Sequence, residues 1–294
     1  MKNLKIKSFD ETILYSYLYD EVDEPIGVIQ FIHGMQEHGG RYADTCKYFN
    51  SKGFICLVSD LRGHGKTANG IENLGKSDGD IFEETVQDQI VISEYLVKKY
   101  KKLPLFVFGH SYGSFITQKY IQVCHLAKKA VICGTTDGDN AIMKMGRIIA
   151  WFTKQKNGKH GKATMIENMS FKSYAKGFKN GNWLSRDEKV WQKYQEDEYC
   201  GTPFPVSFYS SLFKNMGKLN KGIKDIDKDL DILLIYGDED PVGSKGKEVV
   251  KLYRKYLKNN KKVQILDYDG ARHELLNETN KHEVLTNVYH FLSE

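Results

Sequence analysis

The sequence lacks the cysteine pattern of a disulfide-rich or zinc-binding protein. Its 294 residues include five cysteines, an odd number, and no two of them form a C-x-x-C pair. Cys56 and Cys133 lie inside apolar strand-like runs, which predicts buried thiols. The pattern therefore favours a reducing compartment, without disulfides or a structural zinc site.

Long apolar segments and strong charge of one sign are also missing. No run approaches the roughly 20 residues of a membrane span, and the polar start Met1–Lys7 leads into no apolar signal-peptide core. A net charge of +5 gives no argument for nucleic acid, and we find no internal repeat or low-complexity tract. We expect a soluble cytoplasmic protein without a nucleic-acid partner, and the residues point to no particular oligomeric state.

Short apolar runs alternate with helical patterns along most of the chain. The predicted strands are Ile13–Tyr19, Gly27–Ile32, Phe54–Ser59, Leu105–Phe108, Ala130–Cys133, Ile232–Tyr236 and Val263–Leu266. The predicted helices are Arg41–Ser51, Glu84–Tyr100, Ser114–His125, Lys245–Leu257 and Lys281–Phe291. Strands dense in Val, Ile, Leu and Phe between helices are typical of a mostly parallel α/β sheet covered on both faces. The ligand site should lie beyond the carboxyl ends of its strands.

The alternation stops between Thr136 and about Asp225. This stretch is rich in Lys, Gly, Asn and aromatic residues, and it shows no strong strand pattern. We therefore predict a core of residues 1–136 and 226–294, with residues 137–225 inserted as helices and loops over the sheet. From Trp151 to Asp225 the insertion has fourteen Lys and Arg against seven Asp and Glu, so it carries the positive charge of the chain.

The segment Gly109–Gly113 reads G-H-S-Y-G and follows the apolar run Leu105–Phe108. After it, apolar residues recur at helical spacing. A serine on a tight strand-to-helix turn can present its hydroxyl, and glycines on both sides permit the sharp turn. We predict Ser111 as a nucleophile; the alternative is a turn that merely closes a βα unit.

A serine nucleophile needs a histidine base and an acid that orients this histidine. Of the nine histidines, only His273 lies in a short loop just after a late strand. The strand Ile232–Tyr236 leads into a loop with three carboxylates, in which Pro241 restricts Asp240 to an extended conformation. We therefore favour Asp240 as the acid, with Asp238 as the alternative.

The negative charge of a tetrahedral intermediate requires backbone donors. One should be the N–H of Tyr112, directly after the serine. The loop after Gly27–Ile32 is the natural second source, because Gly34 allows a close approach and the N–H of Met35 can then point at the substrate oxygen. The alternative is a metal site with three ligands from this loop, His33, Glu37 and His38.

Five segments together resemble the monoglyceride lipases and bacterial lysophospholipases of the α/β-hydrolase superfamily. They are His33–Tyr42, Asp60–Gly65, Gly109–Gly113, Gly237–Val242 and Gly270–Glu274. The first matches H-G-x-x-E-H-x-x-R-Y, the second D-x-R-G-H-G, the third the nucleophile elbow, and the last two the acid and histidine loops.

This resemblance implies an α/β-hydrolase fold in which the insertion forms a cap. It implies Ser111 as nucleophile, Asp240 as acid and His273 as base, with the amides of Met35 and Tyr112 as the oxyanion hole. It implies hydrolysis of a carboxylic ester through an acyl-enzyme without metal or cofactor, with monoacylglycerol or lysophospholipid as substrate. The alternatives are a peptidase or amidase, a short-chain carboxylesterase, and a binding protein without catalysis.

A predicted helix over Ile142–Phe152 opens the insertion. Its apolar positions at helical spacing are Ile142, Met145, Ile149 and Phe152. Such a face could line an acyl-chain tunnel, rest on a lipid surface with help from nearby lysines, or simply pack on the sheet. The residues leave these three interpretations open.

Overall fold

The computed structural model describes residues 1–139 and 141–294 and has one eight-stranded sheet. Its strands are β1 (Lys2–Lys7), β2 (Ile13–Tyr19), β3 (Gly27–Ile32), β4 (Phe54–Ser59), β5 (Leu105–His110), β6 (Ala127–Cys133), β7 (Asp231–Gly237) and β8 (Lys262–Tyr268). Their order is β1-β2-β4-β3-β5-β6-β7-β8. Strand β2 runs antiparallel to both neighbours, whereas the strands from β4 across to β8 are parallel. The predicted mostly parallel α/β sheet is therefore confirmed.

Helices cover both faces of the sheet. They are α1 (Ala43–Asn50), α2 (Ile81–Lys99), α3 (Tyr112–Val123), α4 (Ala141–Asn157), α5 (Thr164–Ala175), α6 (Glu188–Glu196), α7 (Val206–Leu219), α8 (Lys247–Lys258) and α9 (Lys281–Ser293). Helices α1 and α9 bury their apolar sides in one core cluster, and α2, α3 and α8 pack on the opposite face. Because the central strands are buried on both faces, their sequences are mostly apolar rather than alternating.

The predicted strands all exist, and three of them have the predicted bounds. The sequence pattern missed β1, whose lysines interrupt any apolar run. This strand forms an edge of the sheet, and only Ile6 in it is buried. A charged edge strand of this kind resists pairing with other chains, so its polarity fits its position.

Helices α4 to α7 lie between β6 and β7, where the alternation of the sequence stops. The described part of this segment forms no strand and makes one isolated bridge, between Lys162 and Pro205. Aromatic side chains of α7 and the preceding loop share an apolar cluster with Tyr112 and Ile116 of α3. The segment therefore packs above the carboxyl end of β5. Within the described ranges, no helix is long and apolar enough to cross a bilayer.

The apolar face predicted for α4 is not the face that packs on the rest of the protein. Met145 and Phe152 are more than half exposed, and Ile149 is half-buried. The side chain of Ile142 lies outside the described residues. The helix packs against α7 through a different face, on which the ring of Phe213 lies so close to Gly146 that an added Cβ would be 2.7 Å from it. The small residue allows this contact, and the bulky residues therefore face away from the protein.

Candidate active site

Ser111 lies between β5 and α3, where the chain reverses sharply. Its φ of 53° and ψ of −119° are unusual for a residue with a side chain, and they place strain at this turn. A Cβ on Gly109 would be 2.3 Å from the carbonyl oxygen of Gly113, and one on Gly113 would be 2.0 Å from that of Ile32. Both glycines are therefore required for the elbow that presents Ser111.

Asp240 and His273 form a buried pair. The Nδ1 of His273 lies 2.9 Å from Oδ2 of Asp240, whose other oxygen accepts the N–H of Val242 at 2.8 Å. Because the carboxylate accepts a hydrogen bond from the Nδ1–H, the lone pair of the neutral ring lies on Nε2. Burial alone would lower the pKa of His273, but the adjacent carboxylate outweighs it and raises this pKa above the ordinary value. The ring is thus arranged as a proton acceptor.

The two other carboxylates of the acid loop do not pair with His273. Glu239 pairs with Lys245 at the surface, and Oδ1 of Asp238 has no partner among the described residues. The structure therefore places Asp240, rather than the alternative Asp238, beside the histidine.

The Nε2 of His273 is buried and has no partner in the described chain. With Ser111 it lines a cavity of about 30 Å³. Four apolar or aromatic residues of the 137–225 segment also line this cavity: Phe171, Trp183, Leu184 and Tyr194. A space of this size holds only about two water molecules. Ser111 itself is partly exposed, but a substrate larger than this space can bind there only if part of the lining moves.

The two residues predicted to supply the oxyanion donors both lie beside the serine. Tyr112 is the first residue of α3, so its amide has no acceptor inside the helix. Met35 lines the same cavity as Ser111. The preceding Gly34 donates its N–H to Oε1 of Glu37 at 2.5 Å, and a Cβ on it would be 3.1 Å from Cβ of Ser111. The loop thus approaches the serine closely, with its geometry fixed by a carboxylate.

The three residues of the alternative metal site have other partners. His33 is fully buried and accepts the N–H of Leu61 through Nε2, and burial lowers its pKa to about 3. Glu37 accepts from Gly34 and from Arg41, which lies one helical turn further along the chain. The loop therefore does not bring its two histidines and Glu37 together around one point.

Among the described residues, one other group of side chains could in principle bind a metal: His38, Asp197 and Cys200. The ring of His38 accepts the N–H of Gly40 through Nδ1 at 3.2 Å, which leaves the proton on Nε2, 2.9 Å from Asp197. A protonated Nε2 cannot bind a metal. This contact is a hydrogen bond between the loop after β3 and the 137–225 segment.

A second set of contacts connects the 137–225 segment to the histidine loop. The amides of His273 and Glu274 donate to the carbonyls of Trp183 and Leu184, at 3.4 and 2.7 Å. Arg272 donates to two further carbonyls of the same stretch, those of Asn182 and Ser185, at 2.6 and 3.1 Å. Residues 182–186 are therefore held against the loop that carries the histidine.

Sequence reasoning missed several residues of the site. Arg41 and Glu274 lie inside the recognised segments and form a bidentate pair, so the motifs contained a signal for them. Trp183 and Tyr194 lie in the segment without a pattern, and nothing in the sequence marked them. Arg62, in the second recognised segment, pairs with Asp10 and Asp88 and does not line the cavity.

Comparison with known proteins agrees with this geometry. The profile of the family described as serine aminopeptidase, S33, matches residues 23–280. The chain belongs to this family of serine hydrolases. The monoglyceride lipase homolog of Monkeypox virus is 23% identical over 278 residues, which cover 93% of the chain and 91% of that protein. Phospholipase YtpA of Bacillus subtilis is 21% identical over 265 residues, covering 90% and 94%.

Among solved structures, a thermostable carboxyl esterase from Bacillus coagulans in complex with glycerol is similar. It superposes with a TM-score of 0.89 and 25% identity, covering 99% of this chain and 97% of the esterase. These findings confirm the α/β-hydrolase fold and the resemblance to monoglyceride lipases. The chain is a serine hydrolase.

Proposed function

We propose that this serine hydrolase cleaves the carboxylic ester of a monoacylglycerol or a lysophospholipid through an acyl-enzyme. The observation that carries the proposal is the convergence of three loops at one cavity. There, His273 pairs with Asp240 on one side and shares the cavity with Ser111 on the other. In this proposal, residues 137–225 act as the cap of a core formed by residues 1–136 and 226–294.

The proposed reaction has two steps, acylation and deacylation, and the same residues act in both. Ser111 Oγ attacks the acyl carbon while Nε2 of His273 takes the hydroxyl proton, and Asp240 stabilises the imidazolium. The amides of Met35 and Tyr112 hold the oxyanion. The alcohol leaves with the proton from His273. Water then attacks the acyl-enzyme in the same manner, which releases the acid and returns the proton to the serine.

The substrate class is supported by the lining of the site and by the relatives. Aromatic and apolar side chains of the cap cover the serine, which suits an acyl chain better than a polar one. The relatives carry the names monoglyceride lipase and phospholipase, and the esterase structure holds glycerol. A monoacyl ester of glycerol or of a glycerophosphate derivative fits both observations.

Cleavage of an aminoacyl amide is the rival named by the family description. An aminopeptidase needs a carboxylate that is free to receive the amine of its substrate. The cavity has two carboxylates, Glu37 and Glu274, and Arg41 pairs with both. Because both carboxylates are already paired with the guanidinium, neither is free to receive an amine, which favours the ester over the aminoacyl amide.

We also propose that the cap contacts a lipid surface. Six large apolar side chains of α4 and α5 are between 47% and 61% exposed. They are Met145, Ile148, Trp151, Phe152, Met165 and Met169, which we call the cap patch. Exposed basic residues lie on the same helices at Arg147, Lys154, Lys156 and Lys172. An apolar patch with a basic surround fits a bilayer with anionic lipids.

The location proposed for this protein is the cytoplasm. All five cysteines are free and buried, which supports a reducing compartment.

The experiment that tests the proposed function is a panel of substrates for the purified protein. The panel holds monoacylglycerols and lysophospholipids of several chain lengths, short p-nitrophenyl esters and aminoacyl amides. We expect the highest kcat/KM on a long-chain monoacyl lipid, and no turnover by Ser111→Ala. Faster cleavage of aminoacyl amides, or turnover confined to short esters, would contradict the proposal.

A further inference from the structure

Three charged side chains outside the proposed triad meet beside the active-site cavity. Arg41 Nη1 lies 2.6 Å from Oε2 of Glu37 and 2.8 Å from Oε1 of Glu274. Its Nη2 lies 2.7 Å from Oε2 of Glu274. The exposed fractions of these side chains are 12% for Arg41, 4% for Glu37 and 5% for Glu274. One cation is thus shared by two carboxylates almost out of contact with water.

Stability alone does not explain this arrangement. Desolvation of buried charges costs about as much as their attraction returns, and apolar replacements are often as stable. Two carboxylates with one guanidinium also leave one net negative charge in the interior. A buried network of this kind is better explained by what it holds in place.

One end of the network fixes the oxyanion loop. Oε1 of Glu37 accepts the N–H of Gly34 at 2.5 Å and the hydroxyl of Tyr42 at 3.2 Å. The carbonyl of Gly34 shares a peptide with the Met35 N–H, and it accepts a hydrogen bond from Nδ1 of His33 at 2.8 Å. Glu37 and His33 therefore hold Gly34 from both sides and together set the direction of the Met35 N–H. A donor of this kind must lie within about 0.5 Å of its productive position.

The other end fixes the histidine loop. Glu274 follows His273 directly, and its Oε2 also accepts the side-chain amide of Asn277 at 3.0 Å. Its own amide donates to Leu184 of the cap at 2.7 Å. The cap covers the network as well, because the ring of Tyr194 lies 5.1 Å from the guanidinium of Arg41. Arg41 is therefore in contact with the oxyanion loop, the histidine loop and the cap.

We propose that Arg41 is a positioning residue that fixes the oxyanion loop against the histidine loop through Glu37 and Glu274. Its cation also offsets the two carboxylates near His273. This role rests on the proposed function, because it assigns Met35 and His273 to the same reaction. The single guanidinium fork joins segments 233 residues apart in the sequence.

The charge of Arg41 has a measurable consequence for His273. Asp240, Glu37 and Glu274 act on that ring, and His110 packs against it with ring centroids 4.8 Å apart. Arg41 reaches the ring through the two glutamates with which it pairs. Burial lowers the pKa of His110 to about 4, so this neighbour is neutral. Loss of the Arg41 cation would leave both glutamates unopposed and raise the pKa of His273. Because the base acts in its neutral form, the acidic limb of kcat/KM would then move to higher pH.

The test compares Arg41→Met with Arg62→Met. Arg62 is also shared by two carboxylates, Asp10 and Asp88, but these lie outside the cavity lining. We expect Arg41→Met to lower kcat about 10- to 100-fold, with KM changed less than about threefold. The midpoint of the acidic limb of its kcat/KM profile should move to higher pH by about half a unit or more. Arg62→Met should lower the melting temperature without changing kcat or the limb.

Two further variants distinguish the positioning role of the Arg41 guanidinium from the effect of its positive charge. Arg41→Lys keeps the cation without the planar fork, so its acidic limb should match wild type while kcat stays reduced. In Arg41→Met/Glu274→Gln one of the unopposed charges is removed, so the limb should return toward wild type without recovery of kcat. If Arg41→Met retains the kcat and the acidic limb of wild type, the positioning role is wrong.

An NMR titration of His273 reads its pKa without any turnover. A higher pKa in Arg41→Met than in wild type supports the role of the charge, and an unchanged pKa contradicts it. If wild type fails to hydrolyse every ester in the panel, the proposed function fails, while this titration still decides the electrostatic part of the inference. If wild type is active and Arg41→Met equals it, the positioning inference alone fails.

Discussion

The indole of Trp183 covers the imidazole of His273. Their ring centroids are 5.0 Å apart with an interplanar angle of 36°, and the carbonyl of Trp183 accepts the amide N–H of His273. The cap therefore contacts the proposed base through a side chain and through the backbone at once. This contact places Trp183 in the lining of the cavity, so we expect access to the serine to depend on this side chain.

Trp183→Ala should expose the site and weaken the fold. The side chain is buried, so its loss should lower the free energy of unfolding by about 3 kcal/mol or more. Labelling of Ser111 by a small fluorophosphonate should become faster than in wild type, because the cover is removed. Trp191→Ala is the matched control, since this tryptophan stacks on Tyr194 at the surface of α6 and does not line the cavity. Equal labelling rates for wild type and Trp183→Ala would show that this ring does not limit access.

The pH dependence of hydrolysis should report the pair of His273 and Asp240. The carboxylate raises the pKa of His273, and only the neutral ring accepts a proton, so activity should fall as pH decreases through a midpoint above 6.5. Asp240→Asn should reduce kcat about 10⁴-fold. Asp238→Asn, in the same loop but without contact to the ring, should stay within about threefold of wild type. If Asp238→Asn reduced kcat more than Asp240→Asn, the assignment of Asp240 as the acid would be wrong.

The nucleophile elbow should tolerate no side chain at Gly113, two residues after the serine. Gly113→Ala would place a Cβ 2.0 Å from the carbonyl oxygen of Ile32. We expect a loss of about 3 kcal/mol in urea unfolding, the upper end for overpacked sites. Gly217→Ala is the control, because a Cβ at this helical position meets nothing within 4 Å and should stabilise by about 0.5–1 kcal/mol. Equal stability of the two variants would contradict the elbow geometry.

The cap patch should bind vesicles that contain anionic lipid. Sedimentation with phosphatidylglycerol/phosphatidylcholine vesicles should exceed that with pure phosphatidylcholine, and salt should weaken it. Trp151→Ser/Phe152→Ser should reduce the affinity about tenfold or more, because burial of each ring contributes on the order of 1.5–3 kcal/mol. Leu257→Ser alters an exposed apolar residue of α8 and should change nothing. Binding that is indifferent to the double variant would contradict the proposed surface.

Much of the site could be predicted from the sequence because its parts are local. The apolar run before Ser111 marks a buried strand, and the short loops before Asp240 and His273 follow such strands directly. Since parallel strands end at one edge, three separate loops had to converge there. Asp240 could be chosen over Asp238 because Pro241 limits the backbone before it.

The cap could not be predicted in the same way because its contacts are distant in sequence. The orientation of α4 depends on the ring of Phe213, which needs the space at Gly146, and helical periodicity alone left three roles open for its apolar face. The contact of Trp183 with His273 joins a segment without a pattern to a loop about ninety positions away. The bidentate pair of Arg41 and Glu274 lies within recognised segments, but only folding shows that the two side chains meet.

The proposed mechanism requires Ser111 as the nucleophile more than any other residue. Wild-type protein treated with a fluorophosphonate, digested and mapped by mass spectrometry should carry the adduct on Ser111, with parallel loss of ester hydrolysis. Ser111→Ala should carry no adduct and hydrolyse no ester. An adduct on another residue, or hydrolysis that persists in Ser111→Ala, would contradict the central claim.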